Sequence, residues 1–158
     1  MSRKVKPIPE GYHTISPMLV LRDARKAIEF YKKAFDAKEL FAMPGPNGRG
    51  VAHAELIIGD SKFMLSDENP QQHTKGVESI GASPVSFYLY VQNVDAFFKK
   101  AVGAGAKSEM PVQDMFWGDR AGTLKDPFGF TWMIATHKKD LSTEEIKKGA
   151  EAAYALKK

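Results

Sequence analysis

The sequence predicts an α+β fold of two tandem β-α-β-β-β modules. Three observations lead there. Strand patterns of period two alternate with amphipathic helix patterns, in the same order in each half. Leu21, Asp23, Ala24, Ala27 and Ile28 recur as Val91, Asn93, Val94, Phe97 and Phe98 at an offset of 70. Phe63-Met64-Leu65 recurs as Trp132-Met133-Ile134 at an offset of 69. Self-similarity at a near-constant offset marks a repeated structural unit.

In the first half, Ser16 to Leu21 reads as a strand. Asp23 stands at an N-cap position before Ala24, Ala27, Ile28, Tyr31 and Phe35, a helical apolar stripe. Glu39 to Met43 is a short strand, and Pro44-Gly45-Pro46-Asn47-Gly48 is a turn. Val51 to Ile58 and Ser61 to Ser66 are strands joined at Gly59-Asp60. Asp67 to Pro84 shows no period and is expected to be a linker or mobile loop.

The second half repeats the scheme. Val85 to Val91 is a strand, Asn93 a cap, and Val94, Phe97, Phe98, Ala101 and Val102 the helix stripe, ended by Gly103 and Gly105. Met110 to Val112, Gly122 to Lys125 and Thr131 to Thr136 are the later strands, with Asp126-Pro127-Phe128-Gly129 as the last turn. Ser142 and Glu145 form a capping box before Ile146, Ala150, Ala153 and Tyr154, a short amphipathic helix expected to dock on its own subunit or a dimer mate. The expected division is a tail over 1–12, modules over 13–68 and 85–137 with a linker over 69–84 between them, and the helical segment over 138–158.

Composition narrows the function classes. A chain of 158 residues with 43% hydrophobic residues has enough apolar material for a core. It has no Cys, which excludes disulfides, thiolate metal sites and thiol catalysis. No apolar run is long enough to span a membrane. Residues 1–10 are basic without an apolar stretch, so a cytoplasmic address is expected. The net charge of +4 lies in the two ends, +2 in residues 1–10 and +2 in residues 138–158. Residues 11–137 are neutral, so a basic face for nucleic acid is not expected.

The ordered set Asp23-Ala-Arg-Lys-Ala-Ile-Glu-Phe-Tyr31, Asn93-Val-Asp-Ala-Phe-Phe98 and Lys125-Asp-Pro-Phe-Gly129 resembles the glyoxalase/bleomycin-resistance/dioxygenase group, the vicinal oxygen chelate superfamily. Phe116-Trp-Gly-Asp-Arg120 followed by Gly122-Thr-Leu-Lys-Asp-Pro-Phe-Gly129 resembles its PhnB-like, glyoxalase-like subgroup. The resemblance covers residues 13–137. It implies that the two modules share a cup-shaped mixed sheet with helices outside, that subunits pair as homodimers, and that the cup holds a small ligand. In many members it also holds a divalent metal.

The resemblance places metal ligands on the first and last strand of each module. Those positions fall here on Ser16, Met64, Ser86 and Met133. Hydroxyls and thioethers are poor partners for divalent cations of this kind. No metal or cofactor is therefore expected, and glyoxalase I activity is expected to be absent. His53 and Glu55, two apart on one strand, are the candidate pair for acid/base work or for an alternative metal. His13, His73 and His137 are read as surface or satisfied polar residues.

In Trp117-Gly118-Asp119-Arg120, Gly118 allows a turn with Trp117 and Asp119 on one side. Trp117 offers a stacking face, worth about 0.5–2 kcal/mol for a cation. Arg120 offers a fork for a carboxylate or phosphate. The alternative is that Asp119 and Arg120 pair with neighbours and pin the loop. Trp132 is assigned to the core. Strand alternation from Ser16 and Ser86 turns Met18, Tyr88 and Tyr90 toward the cup, and the resemblance puts Met64 and Met133 there, an apolar and polarizable lining suited to a planar organic ligand. Three functional readings follow. One is a metal-independent small-molecule binder with Met18, Met64, Tyr88, Trp117 and Met133 as walls and Asp119, Arg120, His53 and Glu55 as polar groups. The second is a metal-dependent lyase, isomerase or dioxygenase using His53 and Glu55. The third is a structural or regulatory dimer with a filled cup.

Overall fold

A computed structural model describes residues 5–156. The chain divides into two compact units between Ala82 and Ser83. The terminal residues 1–4 and 157–158, which carry part of the basic charge, lie outside the described residues.

The first unit runs β1 (Met18–Leu21), α1 (Ala24–Phe35), β2 (Lys38–Pro44), β3 (Val51–Ile58) and β4 (Ser61–Asp67), followed by a short α2 (Val77–Ile80). The four strands form one mixed sheet in the order β1-β4-β3-β2. β1 lies parallel to β4, and the other pairs are antiparallel. The second unit runs β5 (Ser86–Tyr90), α3 (Val94–Gly103), β6 (Lys107–Asp114), β7 (Asp119–Lys125), β8 (Thr131–His137) and α4 (Thr143–Ala155). Its sheet has the same topology, β5-β8-β7-β6, again with one parallel pair. The expected β-α-β-β-β order thus holds in both units.

The helices form where the sequence places caps. Asp23 accepts from the Lys26 amide at 3.0 Å, and Asn93 from the Ala96 amide at 3.1 Å. The apolar stripe of α1, Ala24, Ala27, Ile28, Tyr31 and Phe35, is fully or almost fully buried, together with Leu19, Leu21, Ala54, Leu56, Phe63 and Leu65 of the sheet. Tyr31 meets Phe63 edge-on with centroids 6.0 Å apart. Each large apolar side chain removed from water this way contributes roughly 1.5–3 kcal/mol. In the second unit a Cβ on Gly122 would come within 2.8 Å of Phe98 Cε2, so the missing side chain lets α3 lie close on the sheet. Trp132 is buried as expected, 4.6 Å from the Phe87 ring and donating to Asp126 Oδ2 at 2.9 Å.

Four expectations are corrected. β1 begins at Met18, so Ser16 precedes the strand and its hydroxyl donates back to the His13 carbonyl. The segment after β4 is ordered by its own polar side chains. Asn69 and Thr74 form a bridge, Pro70–Gln72 makes a 3-10 turn, and Glu68 accepts from the Gly76 amide and the Ser79 hydroxyl above α2. β6 spans Lys107–Asp114, longer than the expected Met110 to Val112. β7 begins at Asp119 and not at Gly122. The last shift matters most, because it makes Asp119 and Arg120 neighbours in a strand and sends them to opposite faces.

Candidate functional site

In each unit one sheet face packs on a helix and the other does not. In the first unit the face opposite α1 carries Met18, Met64, Glu55 and Phe41 in one cross-strand row. Met18 pairs with Met64, Met64 with Glu55, and Glu55 with Phe41. His53 lies two residues from Glu55, on the same face as expected, with Nε2 3.6 Å from Glu55 Oε1. Both side chains are half-buried. Met18 is 57% exposed.

Residues that precede β1 complete this face. A cavity of about 550 Å³ is lined by Glu10, Tyr12 and His13 together with Glu55, Lys62 and Met64. Lys62 Nζ donates to the Glu10 carbonyl at 2.8 Å and lies 4.8 Å from the Tyr12 ring centroid. The Tyr12 phenol oxygen is buried and has no geometric hydrogen-bond partner among the described residues. Burial, and then the nearby Glu55 carboxylate, push the Tyr12 pKa up to about 12. Sequence reasoning missed Tyr12, which lies in an irregular segment with no periodic signal.

In the second unit the face opposite α3 carries Tyr88 beside Met133, with Met133 beside Thr123. Its polar centre is Asp119, only 3% exposed. Oδ2 accepts from the Tyr88 hydroxyl at 2.8 Å, the Tyr90 hydroxyl at 3.1 Å and the Trp117 indole at 3.1 Å. Oδ1 lies 2.7 Å from His137 Nδ1, whose ring places Nε2 3.0 Å from Asp140. Burial alone would raise the Asp119 pKa. The donors outweigh it, His137 first, then Tyr88, Tyr90 and Trp117, and hold the group below the usual carboxylate range. Burial and the Asp119 hydrogen bond raise Tyr88 and Tyr90. Asp119 and then Asp140 raise His137.

Backbone geometry builds this hub. Gly118 has φ +98°, a left-handed conformation that also brings its backbone against Lys139. The turn sets Trp117 and Asp119 on one side, as expected. Tyr88 and Tyr90 alternate onto the same face of β5, their rings 5.0 Å apart. Phe116 stands perpendicular to Trp117 at 4.9 Å and meets Tyr154 of α4 at 6.2 Å, so α4 docks on its own unit.

Arg120 departs from the expected anchoring role. It points to the helix-covered face, where Nε and Nη2 bind Asp95 at 2.8 Å each and Nη1 binds Asp114 at 3.2 Å. Its fork is filled by this chain's own carboxylates, and it does not join Trp117 and Asp119. His13 and His73 are exposed, as expected, while His137 is satisfied on both nitrogens.

The donor set bears on the metal that the family resemblance implies. Met64 and Met133 present thioethers, Ser86 an exposed hydroxyl, and Ser16 lies outside its strand. Among the described residues no group of three or more His, Asp and Glu side chains could hold a metal ion. His53 and Glu55 come from a single strand, and both Asp119 oxygens already accept hydrogen bonds. These residues do not fit a divalent cation.

Comparison with known proteins agrees with the fold. The chain is similar to a protein of Mycobacterium tuberculosis H37Rv, 42% identical over 135 residues that make up 84% of this chain and 79% of that one. It is similar to the crystal structure of an Arabidopsis thaliana gene product, with TM-score 0.63 and 29% identity over 78% of this chain and 98% of that one. It shares the fold of a PhnB protein from Bacillus cereus, with TM-score 0.61 and 22% identity over 78% and 99%. Residues 13–134 match the family described as the Glyoxalase/Bleomycin resistance protein/Dioxygenase superfamily, and the chain belongs to that family.

Proposed function

We propose that this protein binds a small planar organic molecule on the uncovered sheet faces and does so without a divalent metal. One observation carries the reading. The two positions where the family resemblance puts last-strand carboxylates hold Met64 and Met133, each directly opposite an exposed apolar or aromatic residue, Met18 and Tyr88. Thioethers beside an aromatic ring make an adaptable, polarizable wall for a flat ligand. Trp117 flanks the second wall, with its indole N–H committed to Asp119. The uncovered apolar residues Met18, Phe41, Met43, Tyr88 and Tyr90 also suit pairing with a second copy, so the working form is a homodimer. A cytoplasmic protein fits this reading, and no helix is long and apolar enough to cross a membrane among the described residues.

The test is a titration with planar aromatic natural products followed by Trp fluorescence, with light scattering for the dimer. Quenching that weakens on Tyr88→Ala or Met133→Ala is expected. No response from any member of the library overturns the binding reading. Monomer scattering at micromolar concentration overturns the dimer.

His53 and Glu55 support a second reading, a metal-dependent enzyme, because they share the uncovered face 3.6 Å apart. Stoichiometric metal lost on Glu55→Gln decides for it.

A further inference from the structure

We propose that the cavity under the N-terminal segment of the first unit receives a planar ligand by an amide edge, with the ligand N–H given to Glu55 and its C=O accepting from the Tyr12 phenol. The inference rests on the small-molecule reading and names the ligand chemistry for one of its sites.

The phenol drives the argument. Among the described residues Tyr12 Oη is buried with no geometric hydrogen-bond partner, although almost every buried polar group in a folded protein has one. It lines the same cavity as Glu55, Lys62 and Met64. A ligand entering there finds an unused donor beside an acceptor-only carboxylate. Lys62 does not answer the phenol, since its ammonium is held by the Glu10 carbonyl at 2.8 Å and sits over the ring. The volume of about 550 Å³ suits a bicyclic ligand.

The chemistry excludes the other classes. A hydrocarbon leaves the phenol orphaned. An anion meets Glu10 and Glu55 against one committed lysine. A primary ammonium satisfies Glu55 but brings no acceptor of its own for the phenol proton. A lactam or carboxamide carries N–H and C=O side by side and answers both groups at once. Met64 supplies a thioether wall for its ring.

The experiment compares three probes by NMR titration, with the Met64 methyl signal as the reporter of place. 2-Quinolone has the full amide edge, N-methyl-2-quinolone lacks the donor, and naphthalene lacks both groups. We expect 2-quinolone to bind about tenfold tighter than the other two, the usual effect of leaving a buried polar group unpaired. Tyr12→Phe and Glu55→Leu should each weaken 2-quinolone about tenfold and leave naphthalene within about twofold. Equal affinities for 2-quinolone and its N-methyl form overturn the amide edge while leaving the small-molecule reading standing, and so do unaltered variants. Tight 2-quinolone binding that moves Met133 and not Met64 overturns this site. If none of the three probes binds, the amide-edge site falls, while the small-molecule reading stands or falls with the wider library.

Discussion

Asp119 Oδ1 and His137 Nδ1 are 2.7 Å apart, and the other Asp119 oxygen accepts from two phenols and an indole. The imidazole must donate in this pair, because an ionised carboxylate only accepts. Asp119 is therefore the acceptor that orients Tyr88, Tyr90 and Trp117 on the uncovered face of the second sheet.

Replacing that acceptor tests the hub. Asp119→Asn keeps one acceptor oxygen but removes the charge that strengthens the bonds from Tyr88, Tyr90, Trp117 and His137. Stability should fall by about 1–3 kcal/mol in urea unfolding. The His137 pKa, followed by NMR, should drop toward its ordinary value, since Asp119 is the first cause of its rise. A His137 titration that does not move would show that Asp119 does not hold the imidazole.

The same pair sets a pH dependence. The folded pKa of His137 is raised above its unfolded value near 6.5. Its stabilisation is then fully present below about pH 6.5 and is lost as pH rises through the folded pKa. Asp119 has the opposite sign. Its folded pKa is lowered, so its contribution is present above about pH 4 and lost as pH falls through the folded value. The stability lost in His137→Gln should accordingly be larger at pH 6 than at pH 9. Equal losses at both pH values would remove the linkage.

A second repeated device joins the last strand of each unit to its helix. Asp67 Oδ1 accepts from the Ala24 amide at 2.6 Å, and Thr136 Oγ1 from the Val94 amide at 2.9 Å, at the offsets of 69 and 70. Asp67 also takes the Val51 amide at 2.7 Å with its other oxygen, while Thr136 Oγ1 donates to the Val91 carbonyl at 2.8 Å. Loss of a helix-start acceptor costs about 0.5–2 kcal/mol. Hydrogen bonds to a carboxylate are stronger than those to a hydroxyl, so Asp67→Ala should cost more than Thr136→Val, measured by denaturant unfolding. The reverse order would show that the carboxylate adds nothing over the hydroxyl at this position.

The repeat and the strand alternation were legible because both follow from periodicity. Offsets of 69 and 70 make Met133 the equivalent of Met64 and Tyr88 the equivalent of Met18, and the structure pairs Met18 with Met64 and Tyr88 with Met133. The Asp119 hub was half legible. Trp117 and Asp119 fall together through a local Gly118 turn, but Tyr88, Tyr90 and His137 arrive from other strands 18 to 31 residues away. Arg120 had two readings, a free fork or a partner of neighbouring residues, and the structure follows the second, with Asp95 and Asp114 filling the fork. Tyr12 left no trace, since only folding brings the irregular segment against Glu55.

Gly122 separates close packing from mere tolerance. A Cβ there would meet Phe98 Cε2 at 2.8 Å, Val112 Cγ2 at 3.0 Å and the Met110 carbonyl at 3.1 Å. Phe98 is 8% exposed and cannot withdraw far. Gly122→Ala should destabilise by about 1–3 kcal/mol, the range for overpacking. A thermal midpoint equal to wild type would mean that α3 shifts freely on its sheet.

The last prediction concerns metal. A site for Ni²⁺, Zn²⁺ or Mn²⁺ needs anionic or imidazole ligands converging from several elements. On the first sheet His53 and Glu55 supply one nitrogen and one carboxylate from one strand, facing the thioethers of Met18 and Met64. On the second sheet Met133 and Thr123 occupy the matching row, and Asp119 is saturated by its donors. An ion placed there loses its water shell without replacement, at a cost of several kcal/mol. A ligand that binds only the folded state raises its melting temperature in proportion to occupancy. Adding each of the three ions at millimolar concentration should therefore leave the melting temperature unchanged, and glyoxalase I turnover should be absent with or without them. A rise that disappears in Glu55→Gln and persists in Asp119→Asn would place a metal on the first sheet and turn the protein into a metal-dependent member of its family.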